Sequence, residues 1–177
     1  MARARRAARS RVAKGAVPER VRAIGAEPAV KVSVIERSLP FIKMNDRPPK
    51  PRKRGVTEIR GPYYTPLGKR YLQDVLETMG AYVDALKFAG GSFSLMPRRA
   101  VTDLIDLCHQ HDVLVSTGGF IEYVLTQGAP AVQRYIDECK ALGFDIIELS
   151  SGFLSIPTDD WLRLVEIPPY ARSAMVQ

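Results

Sequence analysis

Several things are scarce in this sequence, and each scarcity excludes a class of protein. Its 177 residues include two cysteines, Cys108 and Cys139. Neither belongs to a CxxC or Cys/His spacing, which argues against a disulfide framework or a zinc-type site and for reduced core thiols in an intracellular, cytoplasmic protein. No apolar run approaches the roughly 20 residues needed to cross a bilayer, so no membrane association is expected. No GxGxxG follows the first strand-like segment, so a dinucleotide-binding sheet has no support. Acidic residues are missing altogether from residues 1–18, where Arg3, Arg5, Arg6, Arg9, Arg11 and Lys14 lie among alanines. That composition reads as a disordered basic tail. An Arg-rich organelle transit segment is the alternative, although large apolar residues for a sticky helical face are also lacking.

The net charge of +7 is unevenly spread. Residues 1–54 hold 16 Lys/Arg against 4 Asp/Glu, a net of +12, whereas residues 55–177 hold 10 against 15, a net of −5. A phosphate-backbone groove needs clustered positive charge on the folded surface, so nucleic acid is not expected as a partner. Residues 45–54, NDRPPKPRKR, combine three prolines with five basic residues and read as a linker or surface-lying arm. Residues 1–54 are therefore expected to form a disordered extension, in which Val30–Glu36 alternates like a short strand.

From Gly55 the texture changes. Segments 55–61, 83–91, 112–119 and 144–152 have the β-branched and apolar content of strands. Helical spacing of apolar residues predicts helices at about 66–82, 97–110 and 129–142, the last stopping at Gly143, with an extra turn at Ile121–Leu125. A fourth helix is expected to start at Thr158 as N-cap, with Asp159 and Asp160 in its first turn. Strict β/α alternation requires parallel strands. Glu58 and Arg60 share one strand face, as do Ala85, Lys87 and Ala89, and Ile146, Glu148 and Ser150. Charges there are costly in a sheet covered by helices on both sides but are tolerated at the mouth of a (β/α)₈ TIM-type barrel. Such a barrel typically needs about 250 residues. Residues 55–166 are therefore read as its first four βα units, a half barrel, followed by an unstructured tail at 167–177. Its outer strands would be open edges, available for self-association.

Each strand-like segment ends in small residues: Arg60-Gly61, Gly90-Gly91-Ser92, Ser116-Thr117-Gly118-Gly119 and Ser150-Ser151-Gly152. In a parallel α/β fold these loops share the C-terminal face, where ligands bind. Glycine backbone N–H groups and Ser/Thr hydroxyls suit an anion, and Arg60 and Lys87 add positive charge. Glu148 could act as a base or bind a divalent ion. Glu58 is either a second functional acid or a structural partner of Lys87. Glu122, just past Gly119, could reach the site but is expected to face solvent, and His109 and His111 to sit at a helix end away from the mouth.

With those strings assembled, GVTEIRGPYY, DALKFAGGSFSLMP, VLVSTGGFIEYVLTQG and ECKALGFDIIELSSGF together resemble the phosphosulfolactate synthase family, over roughly residues 46–166. The likeness is nearest to its plant-type, heat-stress-associated branch, with the sequence ending after the fourth strand. The resemblance implies a TIM barrel and a magnesium-dependent carbon–sulfur lyase that adds sulfite to phosphoenolpyruvate, a step of coenzyme M biosynthesis in archaea. It places Lys87 and Glu148 as catalytic residues. Gly90, Gly91, Ser92, Gly118 and Gly119 fall on the family's substrate-binding loops, and Glu148 would help place magnesium; the reading of the strand ends adds Arg60, Thr117 and Ser151 to the substrate-binding set and Glu58 as a second magnesium ligand. Typical enzymes of the family carry Asp-Lys-Gly where this chain has Arg60-Gly61-Pro62, and Asp or Asn where it has Ser151. Loss of catalysis in favour of a non-enzymatic stress-response or interaction scaffold is the alternative.

Overall fold

The computed structural model describes residues 37–61 and 68–166. The basic segment 1–36, the strand expected at Val30–Glu36 and the tail at 167–177 lie outside the described residues. The chain divides into two compact units, one running to Pro40 and the other starting at Phe41. All that follows concerns the second.

Three short strands form a parallel sheet in the order β1 (Glu58–Arg60), β2 (Ala85–Lys87), β3 (Leu114–Ser116). The register aligns Arg60 with Lys87 and Lys87 with Ser116. Between and after them lie α1 (Lys69–Met79), α2 (Arg98–Gln110), α3 (Ile121–Leu125), α4 (Ala129–Leu142) and α5 (Thr158–Val165). No helix among the described residues is long and apolar enough to cross a membrane. Gly143 ends α4 in the left-handed region at φ 98°, the conformation expected of a C-terminal glycine cap. Asp159 and Asp160 stand in the first turn of α5, but Thr158 is its first helical residue and makes no side-chain cap. Pro157 precedes it, and its fixed φ sets the chain's entry into the helix.

The sheet has two unlike faces, because strand side chains alternate. Leu86 and Val115, both fully buried, pack against Leu72, Leu76, Val101, Ile105 and Ile121 from the helices. Phe88, Phe93 and Phe144 complete this core with edge-on and tilted ring contacts. The opposite face carries Glu58, Ala85, Lys87 and Leu114 and turns toward an open concavity. Leu114 is 48% exposed there and Val56 52%.

The fourth strand expected at 144–152 is present only as a single parallel bridge between Ile146 and Ser116. Side chains account for the shortfall. Asp145 Oδ2 accepts the Val115 N–H at 2.8 Å, and Thr117 Oγ1 accepts the Glu148 N–H at 3.2 Å. Backbone bonds join the start of the segment to β3, from the Asp145 and Ile146 N–H groups to the Val115 carbonyl at 3.0 and 3.1 Å and from the Thr117 N–H to the Ile146 carbonyl at 3.0 Å, and beyond them the Thr117 side chain takes the Glu148 N–H in place of a further ladder bond.

The compact unit also takes in residues assigned above to the extension. Segment 47–52 is tied to the N-terminal ends of the strands. Arg52 donates to Asp84 Oδ1 and to the Ala81 carbonyl, both at 2.7 Å. Arg47 reaches Asp84, Thr57 and the Gly55 and Tyr82 carbonyls. Lys50 Nζ bonds the His111 carbonyl at 3.0 Å, at the C-terminus of α2, where a cation suits the helix dipole. The basic residues of this strap fasten it. Residues 47–52 therefore lie on the folded body as a surface-lying arm, not as a linker.

Candidate active site at the strand C-termini

Lys87, the last residue of β2, projects from the open face. Its Nζ lies 2.7 Å from Glu148 Oε2 and 3.1 Å from Glu58 Oε2. The alternation of β1 and β2 puts Glu58 on this face, and the Ile146 bridge brings Glu148 to it from the far side of β3. Burial alone would lower the Lys87 pKa, but the hydrogen bonds it donates to Glu148 and Glu58 outweigh it and hold the ammonium above the ordinary lysine value. Lys87 therefore contacts both of the acids that the sequence singled out. Glu58 and Glu148 also line a concavity of about 710 Å³, which runs from them past Ala85, Leu114, Ser116 and Ile146 toward Arg52, Asp84 and His109 at the N-terminal strand ends. Arg60 stands on the same face, paired in register with Lys87, and is exposed.

The glycines have steric reasons of their own. Gly90, Gly91 and Gly118 have φ of 58°, 71° and 60°, conformations that L side chains rarely adopt. A Cβ on Gly118 would lie 2.4 Å from the Phe88 carbonyl oxygen. Ser92 opens a one-turn 3₁₀ helix, Ser92–Leu95, and is half-buried. Ser151 is exposed in the loop beyond Glu148.

Thr117 departs from its expected role as a substrate donor. It is fully buried, and its hydroxyl donates to the Gly118 carbonyl at 3.1 Å while accepting the Glu148 N–H. It fixes the backbone beneath Glu148 and does not face the concavity.

Glu122 also departs from expectation, because it does not simply face solvent. Its carboxylate accepts the Gly152 N–H at 3.0 Å, the Phe153 N–H at 2.7 Å and the Ser150 hydroxyl. Burial alone would raise its pKa, but the Ser150, Phe153 and Gly152 bonds prevail and hold it below the usual glutamate value. The signal available in the sequence was an acid just past a Gly-Gly turn, which by itself does not name a partner 28 residues away.

His109, as expected, lies away from the mouth, where its Nε2 is 2.8 Å from Asp145 Oδ2. Magnesium fits these residues poorly. The two acids converge on the Lys87 ammonium, which occupies the place a bridging cation would take. Among the described residues, no three His, Cys, Asp or Glu side chains cluster as ligands.

Comparison with known proteins agrees with the strand-end motifs. The family model described as (2R)-phospho-3-sulfolactate synthase (ComA) matches residues 45–168, a span that includes the strap. Protein HEAT-STRESS-ASSOCIATED 32 of Arabidopsis thaliana is 47% identical over 127 residues, covering 72% of this chain and 44% of that protein. The phosphosulfolactate synthase of Methanothermobacter thermautotrophicus is 32% identical over 118 residues, 67% of this chain and 44% of that enzyme. That of Methanocaldococcus jannaschii is 28% identical over 109 residues, 61% of this chain and 41% of that enzyme. The match thus spans less than half the length of each of these relatives. With the family model covering most of its length, the chain belongs to the (2R)-phospho-3-sulfolactate synthase family.

Proposed function

We propose that the sheet is the first part of a TIM-type barrel and that its C-terminal mouth is a phosphosulfolactate synthase-type site for phosphoenolpyruvate and sulfite. The observation that carries this reading is Lys87 held by Glu148 and Glu58 at the strand ends, beside the open concavity. In the addition, a sulfite lone pair forms the S–C3 bond of phosphoenolpyruvate, and the C2–C3 π pair moves toward C2 and the carboxylate. A proton drawn from solvent water then adds at C2, leaving hydroxide that the buffer neutralises. The positively charged Lys87 is suited to stabilise the charge gathering on that carboxylate. Glu58 and Glu148 keep it protonated and aimed, and Arg60 adds a second cation on the same face. No step is assigned to magnesium, since these side chains alone do not make its site.

The test is to combine the purified protein with sulfite, phosphoenolpyruvate and magnesium and to look for phosphosulfolactate by mass. Product that depends on Lys87 supports the reading. No product above a Lys87→Ala control overturns it.

A second reading, a non-enzymatic stress-response scaffold that associates with itself, is favoured by a different observation. Phe153 is 95% exposed, Leu95 90% and Leu114 48%, and among the described residues β1 has a strand neighbour on one side only. Unpaired strand edges invite pairing with another chain. Sedimentation as a stable monomer at high concentration would exclude it.

A further inference from the structure

Glu122 occupies a receptor built from three donors. The consecutive N–H groups of Gly152 and Phe153 and the Ser150 hydroxyl all converge on its carboxylate, from a loop some 30 residues further along the chain. Consecutive backbone N–H groups directed at one oxygen cluster are the usual construction of a small oxyanion site. Gly119 makes the meeting possible, because a Cβ there would lie 2.6 Å from Ser150 Oγ. Its neighbour Gly118 lies against the Lys87 stem, where a Cβ would be 3.4 Å from Cγ. Receptor and lysine are thus adjacent, on either side of one Gly-Gly turn.

We infer that the Ser150–Gly152–Phe153 loop is an oxyanion subsite of this mouth, for a phosphate or sulfonate group, and that Glu122 is its internal occupant. An incoming anion exchanges with the Glu122 carboxylate and inherits its three donors. Lys87 shows the same logic, since internal carboxylates also satisfy it. The subsite is then closed to weakly binding anions and opens to one that outcompetes the Glu122 carboxylate. This rests on the proposed function in placing the substrate at the mouth, but its test is read without turnover and so fails or succeeds separately.

The experiment follows the backbone amide resonances of Gly152 and Phe153 while inorganic phosphate is added at constant ionic strength, with chloride as control. In Glu122→Gln the charged competitor is gone, so phosphate should shift both amides saturably, at least tenfold more tightly than in the unaltered protein. Glu122→Asp, which withdraws the carboxylate by one methylene, should fall between the two and serves if the glutamine variant does not fold. Absence of phosphate-specific shifts at these amides in either variant, with the fold retained, would overturn the inference. Equal affinity in variant and unaltered protein would overturn the competition.

Discussion

Lys87 Nζ and Glu148 Oε2 lie 2.7 Å apart, joining β2 to the segment beyond Ile146 across the intervening end of β3. Each side chain is 18% exposed, so the pair sits between a surface ion pair of little value and a buried one whose rupture is costly. Lys87→Met leaves Glu58 and Glu148 facing each other without a counter-ion. The expected loss is about 1–3 kcal/mol in urea unfolding at neutral pH. Because the folded lysine pKa is raised, this contribution is complete below the unfolded lysine value and disappears as pH rises through the folded one. Unchanged stability in Lys87→Met would show that the clamp does not hold the sheet together.

Asp84 and Asp145 occupy equivalent places at the N-terminal strand ends. Each accepts a backbone N–H from the neighbouring strand segment, Thr57 at 2.9 Å and Val115 at 2.8 Å. Their side-chain partners differ: Arg52 is 6% exposed and His109 41%. Asp84→Ala strands a buried guanidinium and should cost about 3–5 kcal/mol. Asp145→Ala should cost clearly less. Chemical denaturation of the two variants side by side decides it, and equal losses would contradict the importance given to the strap.

Gly118→Ala should destabilise the protein by at least about 2 kcal/mol, combining a left-handed backbone with a clash on the Phe88 carbonyl. Gly68, the residue before α1, with nothing among the described residues within 4 Å of its Cβ position and no positive φ, is the control, and Gly68→Ala should cost clearly less, no more than the loss of a glycine N-cap. The difference between the two melting temperatures is the measurement. Parity would mean that the turn accommodates a side chain.

The helices were legible because they are local. Apolar spacing and a terminal glycine define α4 within one stretch of chain, and its bounds agree with the expectation. The alternation of Glu58, Lys87 and Glu148 likewise told which face they share. What the sequence hid were side-chain bonds over long separations. Thr117 reaches Glu148, 31 residues away, and Arg52 reaches Asp84, 32 away. Composition marked the strap as unable to bury apolar surface, which holds, but it fastens through charges and carbonyls instead. Likewise, the Glu122 partners lie on a loop whose position depends on the sheet having formed.

Cys108 and Cys139 are buried, and burial pushes both thiols up to about 12. Since the thiolate is the reactive species, neither should react with iodoacetamide at pH 8 until the protein unfolds. Mass spectrometry with and without urea provides the comparison. Rapid labelling of either residue in the folded protein would contradict the packing around α2 and α4.

The account stands most directly on Lys87 at the mouth of the sheet. The deciding measurement is phosphosulfolactate formed from sulfite and phosphoenolpyruvate by the unaltered protein and by Lys87→Ala, each confirmed as folded. The account predicts product from the first and at least a hundredfold less from the second. Equal product from the two, or none above background from either, would contradict it.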